Sequence, residues 1–528
     1  MSKNIQVIVD SIKALEFNHA EGLCWLELKI DPNSLDLYKL LGLCLLSQKK
    51  YYGAIEAYLK CLPSRKKDFD IINNLGYAYR CIVDIDNANK YIEMADEILP
   101  GSYPVLVNKI HIAFALRNFN EAKRLLEICF KNFNDEIDPE IVMRAQSLWI
   151  EVLFALNKIE EAIKTIQLFQ KNIFSPKFFY DTANNLPSAI RDEDLINAEQ
   201  ICLKKELDFY QLSTTYFGLG KYYEYKKDYL RAFGFYLNGN QLKADVLRFK
   251  PYARQNEVKN IIKIFTKDFI NKTYQHFGPD YLKRGEGLIF IVGMPRTGTT
   301  LLESILCSSD IIQTAGEQDY LNNLGQKIID NNNPPSFEDL DKIGKEYLRM
   351  INAFNPENKF KFIVDKMPSN IYNVGLIKSC LPSAKIICLD RDPNDNAWSV
   401  FTQLYLENIP YSSNLFNLGL ESSNVGALIN WWSYQFTKKD FKVIKYEDLV
   451  SLSEKIGQDL FNEIGLNEDY SSEKRKNFYS RTASKTQVQQ DVYKTSVSRS
   501  KKYEGLLGAF EKSYKNQQEF WINYFKSL

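Results

Sequence analysis

The chain is short of histidine: in 528 residues there are three, His19, His111 and His276, and none follows position 276. Chemistry in the second half therefore needs a proton acceptor other than imidazole. Net charge is equally scarce. Sixty-seven basic residues nearly cancel 66 acidic ones, leaving +1, so nothing argues for nucleic-acid binding and any anion site must be a local cluster. The nine cysteines are scattered singly, with no C-x-x-C and no pairing with the histidines, which disfavours zinc and a disulfide framework. Small apolar packing residues are the expected role. Long apolar runs are also missing, and none approaches a membrane span. The opening stretch, MSKNIQVIVDSIKALEF, carries acidic residues and no small-residue cleavage site, so it reads as a helix rather than a signal peptide. These absences predict a soluble, cytoplasmic protein whose length calls for at least two domains.

What the chain does have is a repeat. Ala20, Ala54, Ala88 and Ala122 fall 34 residues apart, and Leu41-Gly42 recurs as Leu75-Gly76 at the same interval. A period of 34 with small residues at two fixed offsets is the tetratricopeptide pattern, in which small side chains let paired helices approach. Tyr58, Tyr79 and Ile92 are expected to fill the grooves between neighbours. Ala162, Ala198 and Ala232 continue the series with insertions, giving six or seven units, the fifth and sixth degraded. Stacked units form a superhelix, expected over residues 1–250, whose concave face commonly binds a peptide or protein. Scaffolding or homodimer formation are the other roles open to it. A helical connector is expected over 251–284, followed by a third segment, 285–528.

That third segment alternates strand and helix patterns: LIFIV, KFIVDK, AKIICLDR and FKVIKYEDL. Such alternation predicts an α/β domain with a parallel sheet and ligands at the carboxyl ends of its strands. All four strands end in polar or charged residues: Arg296, Asp365-Lys366, Arg391 and Tyr446-Glu447. The first is the most informative. Leu288 to Val292 runs into Gly293-Met294-Pro295-Arg296-Thr297-Gly298, then Thr299, Thr300 and an apolar helical pattern. Strand, glycine-bounded loop and helix start together make a phosphate cradle. The spacing matches G-x-x-x-x-G-K-[ST], but Thr299 replaces the lysine of nucleotide triphosphatases and the cation has moved to Arg296. No carboxylate cluster of the magnesium-binding kind stands beside the loop.

The stretch FIVGMPRTGTTLLESIL resembles the 5′-phosphosulfate loop of sulfotransferases. The chain as a whole resembles the tetratricopeptide-repeat sulfotransferase family, which is related to the tyrosylprotein sulfotransferases. The resemblance implies a co-substrate, 3′-phosphoadenosine-5′-phosphosulfate (PAPS), no metal, and a hydroxyl-bearing acceptor on a protein or peptide tyrosine, a carbohydrate or a small metabolite. Two separate anion grips are expected. Arg296, Thr297, Gly298, Thr299 and Thr300 form the first. Arg391 and Ser399, in a segment resembling the family's R-D-P-x-D-x-x-x-S, imply the second, at the 3′-phosphate. Asp395 and Trp398 between them read as structural. Tyr446 matches the family's Y-E-D-L element near the nucleotide. Ser484, Ser496 and Arg499 match part of its C-terminal pattern, from which Gln489, Asp491, Ser498 and Ser500 depart.

Sulfuryl transfer resembles phosphoryl transfer in needing mostly positioning and electrostatics. With no histidine available, the acceptor's proton must go to a carboxylate. Similarity to the family's G-E segment implies Glu317, with Asp319 second, and burial is expected to make it the stronger base that catalysis needs. Lys366, ending a buried strand in a segment similar to D-K-x-P-x-N, implies the cation beside the leaving phosphate. Two other readings remain: a protein-binding adaptor whose second half is inert, and a P-loop kinase, which Thr299 argues against.

Overall fold

The computed structural model describes every residue except 1–2, 15, 49, 83, 117, 132–138, 157, 170–173, 205–206, 323–332, 353, 356–358, 406–408 and 477–496. The chain divides into two compact units, Met1–Thr165 and Ile166–Leu528.

The first unit is helical. Phe17–Ile30, Leu35–Ser47, Tyr51–Cys61, Phe69–Cys81, Ile85–Ile98, Tyr103–Ala115 and Phe119–Lys131 follow one another, each packed on the next. Sequence period and packing agree in detail. Ala20, Ala54, Ala88, Ala122 and Ala162 have no exposed surface. A Cβ on Gly42 would stand 2.7 Å from the Tyr58 ring, and one on Gly76 would stand 2.5 Å from Ile92. The small residues are thus the seats for large side chains of the next helix. Tyr79 stacks on Tyr91 with centroids 5.4 Å apart. Asp68 and Asp84 cap the helices that follow them by accepting from the Ile71 and Asn87 N–H groups.

The second unit begins with helices of the same kind: Pro176–Asn185, Asp192–Lys204, Phe209–Tyr225 and Tyr229–Leu247. Gly220 repeats the seat motif, with Tyr236 2.6 Å from where its Cβ would be. Pro251–Ile264 and Lys267–Phe277 then lead into a five-stranded parallel sheet of order β2-β3-β1-β4-β5. The strands are β1 Leu288–Gly293, β2 Ile312–Gly316, β3 Phe362–Lys366, β4 Lys385–Asp390 and β5 Phe441–Lys445. Ile289 aligns with Val364 on one side of β1, and Phe290 aligns with Ile386 on the other. Alternation along the strands fills two cores. Leu288, Phe290, Val292, Ile386 and Cys388 join one, while Ile289, Ile291, Val364, Ile387 and Leu389 join the other. Because the chain leaves β1 toward β2 and returns past it to β4, the order reverses around β1. That reversal opens a crevice at the carboxyl ends of β3, β1 and β4.

Helices from the repeat-like part and the sheet share one core. Asn240 donates to the Phe401 carbonyl at 2.8 Å, and Lys243, wholly buried, donates to Asn240 Oδ1 at 3.1 Å and to the Ser412 hydroxyl. Gln403 donates to Tyr180 Oη at 2.8 Å, and Phe233 stacks on Trp398. Among the described residues no helix is long and apolar enough to cross a membrane, and no disulfide forms.

Candidate functional site

The five strand ends meet at one cavity of about 860 Å³, within the range of small-molecule sites. Its floor is the loop between β1 and the helix Thr299–Leu306. Gly298, at φ 93°, caps this helix in the left-handed region, and a Cβ there would stand 2.5 Å from the Tyr446 ring. Arg296 itself sits at φ 67°, a costly conformation for a residue with a side chain and one found disproportionately at ligand sites. The loop is held in place from β4: Arg391 donates to the Arg296 carbonyl at 2.9 Å, and Asn396 donates to the Pro295 carbonyl at 2.8 Å.

Arg296, Gly298, Thr299, Thr300, Glu317, Arg391, Ser399, Tyr446 and Arg499 all line the cavity. Thr297 does not line it; its hydroxyl turns back to donate to the Met294 carbonyl at 2.7 Å. The two anion grips expected to be separate are in contact, since Arg296 Nε donates to the Ser399 hydroxyl at 3.2 Å. The parallel register of β1 and β4 causes this by bringing both strand ends to the same height. Arg391 lies almost fully buried, 4.4 Å above the Tyr446 ring, and burial pulls its guanidinium below the ordinary arginine range. Ser484 and Ser496 lie outside the described residues.

Lys366 ends β3 with 1 % of its side chain exposed and pairs with Glu317, with Glu303 3.8 Å away on the helix Thr299–Leu306. Glu303 accepts from the Thr314 hydroxyl at 2.5 Å. The expected burial of Glu317 is not found. Its side chain is 46 % exposed where it lines the cavity, because it follows β2, the edge strand of the sheet. What Glu317 has instead of burial is a fixed counter-charge in Lys366. Asp319 is exposed as well and accepts from Asn322 at 3.1 Å.

Asp395 anchors residues 498–500 by accepting from the Ser498 and Ser500 N–H groups and the Ser500 hydroxyl. Trp398 stacks on Tyr503 with centroids 3.6 Å apart. Arg499 reaches a residue that the sequence reading passed over, pairing with Glu224 at 2.6 Å. Glu224 also accepts from Tyr503 at 2.9 Å and Tyr236 at 3.0 Å. Burial alone would raise the Glu224 carboxyl, but Arg499 and Lys221 hold it below the usual carboxylate range.

A second cluster missed in the sequence lines the same cavity. Arg254 pairs with Glu257 at 2.6 Å and Glu421 at 3.4 Å, and lies 4.7 Å over the Tyr372 ring. No spacing in the sequence marks these residues. Among the described residues no cluster of histidine, cysteine and carboxylates could hold a metal ion.

Residues 289–470 match the family described as the sulfotransferase family. A curated protein of Aquifex aeolicus (strain VF5), described as uncharacterized, is 26 % identical over 383 residues. That alignment covers 68 % of this chain, which spans about half (48 %) of the relative's length. Among solved structures, a sulfotransferase domain from the Synechococcus PCC 7002 olefin synthase aligns with 17 % identity and a TM-score of 0.34. The alignment covers 46 % of this chain and 97 % of that one. Pseudomonas aeruginosa pilF aligns with 19 % identity and a TM-score of 0.32, over 43 % and 96 % of the two chains.

Proposed function

We propose that the protein is a PAPS-dependent sulfotransferase carrying an N-terminal tetratricopeptide array, on the division 1–250, 251–284 and 285–528, and that it works in the cytoplasm. One observation carries the reading. Arg296, Arg391 and Ser399 converge on a loop whose backbone opens into the cavity, with the Lys366–Glu317 pair ending neighbouring strands of the same sheet. Seven basic and five acidic side chains line that cavity, a balance suited to an anionic occupant.

Bound there, the co-substrate would supply an activated sulfuryl group. The chain's own contributions follow from the site. The Arg296 loop and the start of the helix Thr299–Leu306 hold oxyanions through N–H groups and guanidinium. Lys366, with little exposure, offers a cation whose field is weakly screened. Glu317 is open to the mouth of the cavity, where an acceptor hydroxyl can reach it, and it takes the hydroxyl proton. The acceptor is a hydroxyl compound: a peptide tyrosine, a carbohydrate or a small metabolite.

Binding of phosphoadenosine phosphate and ATP, followed by sulfate transfer from labelled donor across hydroxyl acceptors, tests this reading. Phosphoadenosine phosphate should bind without magnesium and ATP should compete poorly. Arg296→Ala should abolish donor binding. Glu317→Ala should keep donor binding and lose turnover by roughly 10²–10⁴-fold. Tight magnesium-dependent ATP binding would point to a kinase instead.

A further inference from the structure

Lys221 interrupts an aromatic and aliphatic stretch, Phe217-Gly218-Leu219-Gly220-Lys221-Tyr222-Tyr223, on a helix of the repeat type rather than of the sheet. Its helix neighbours on either side are buried. A lysine in such a place ordinarily finds a carboxylate or reaches bulk water. Lys221 reaches no carboxylate at hydrogen-bond or ion-pair distance, and Glu224, three residues on, acts on it only through its field. It lines the cavity, it makes no hydrogen bond or ion pair among the described residues, and its nearest aromatic contact is the Tyr236 ring at 5.9 Å. The side chain keeps some accessible surface while protein crowds it on every side, which is how a group on the wall of a deep cavity behaves.

The surrounding charges sharpen the point. On its own helix, Glu224 is engaged by Arg499 and two tyrosine hydroxyls. Tyr236 faces it from the next helix, Arg296 from the phosphate loop and Arg499 from the C-terminal segment. Tyr180, on the helix packed against this one, is taken up by Gln403. Two guanidinium groups thus act on a third cation with one shared carboxylate between them. An oxyanion would satisfy all three.

We propose that Lys221 is an oxyanion-binding residue, supplied by the repeat-type part of the chain, that grips a phosphate or sulfate group in the cavity. The inference rests on reading the cavity as a sulfonucleotide site. Burial, with Arg499 and Arg296 adding to it, pushes the Lys221 ammonium down to about 7 against the pull of Glu224. Near neutrality the empty site therefore holds this amine only about half protonated, and an arriving anion draws the missing proton in. Affinity then falls as pH rises through about 7 and above, and binding is accompanied by proton uptake.

Calorimetry on the full chain tests the proposal. Phosphoadenosine phosphate, AMP and inorganic sulfate are titrated at pH 7.5 in two buffers of different ionisation enthalpy, into wild type, Lys221→Met and Lys221→Arg. Wild type should take up part of a proton beyond what the phosphate itself acquires. Lys221→Met should bind about tenfold or more weakly and lose that uptake. Lys221→Arg should bind well with no such uptake, because arginine stays charged. Loss confined to phosphoadenosine phosphate assigns Lys221 to the 3′-phosphate, whereas equal loss for AMP and sulfate assigns it to the 5′ side. Unchanged affinity and uptake in Lys221→Met overturns the proposal, and if that variant does not fold, unchanged uptake in Lys221→Arg overturns it. Failure of wild type to bind either nucleotide sinks the sulfotransferase reading. The sulfate arm then decides on Lys221, since sulfate bound equally by wild type and Lys221→Met refutes its role.

Discussion

Asp365 and Lys366 end β3 side by side, both almost fully buried, yet only the lysine is paired with carboxylates. Asp365 accepts from Tyr347 at 2.6 Å with one oxygen, while the other is buried without a hydrogen-bond partner among the described residues. Burial pushes its carboxyl up to about 7, with Lys366 and the Tyr347 hydroxyl opposing the rise. The linkage has a definite sign. An unfolded aspartate titrates near 3.9, so between about 4 and 7 the folded state holds more protons and stability declines as pH rises. In chemical denaturation, the stability of Asp365→Asn relative to wild type should therefore grow from pH 4 to 7 and level off above. Parallel curves for the two proteins would sink this account. Legibility at this scale was uneven. Lys366 stood out because a lysine ending an apolar strand is costly, but nothing in the sequence indicated that Glu317 would lie open at an edge strand.

At the scale of elements, the turn between β1 and its helix was readable because its determinants are local. Gly293, Gly298 and the threonines between and after them specify backbone shape within a few residues. The turn's partner was not readable, since the tyrosine that covers Gly298 is Tyr446, the first residue of the helix Tyr446–Ser451 that follows β5. Gly298→Ala combines a left-handed φ with a Cβ 2.5 Å from that ring. Thermal unfolding should show a loss of roughly 1–3 kcal/mol. Phosphoadenosine phosphate should also bind more weakly, because displacing Tyr446 disturbs the Arg391 that stacks on it. A variant with wild-type stability and affinity would show that the loop accommodates the methyl group. The repeat helices were legible for a different reason: at Gly42, Gly76 and Gly220 a small residue recurs wherever a large one must seat.

For the whole molecule, the arrangement predicts different outcomes for two truncations. The compact unit Ile166–Leu528 contains the sheet, the cavity and the last helical hairpins. Removing residues 1–165 should leave a folded protein that still binds phosphoadenosine phosphate. Removing 1–250 takes away Lys221, Glu224, Asn240 and Lys243, exposes the buried face around Trp398 and Phe401, and should yield protein that aggregates or binds no nucleotide. Circular dichroism and nucleotide titration on both truncations check this, and a stable, nucleotide-binding 251–528 fragment would contradict it.

From sequence alone came the features that nearest neighbours determine: the 34-residue period, the strand–loop–helix turn around Arg296, the four polar or charged strand ends and the lack of histidine after position 276. Tertiary structure alone decided which of those groups meet. It joined Arg296 to Ser399, exposed Glu317 beside Lys366, and set Lys221 and Glu224 of a repeat-type helix against the cavity. The physical reason is that periodicity states which face of an element is buried but not what buries it. Electrostatics in a cavity depends on distances between segments far apart in the chain.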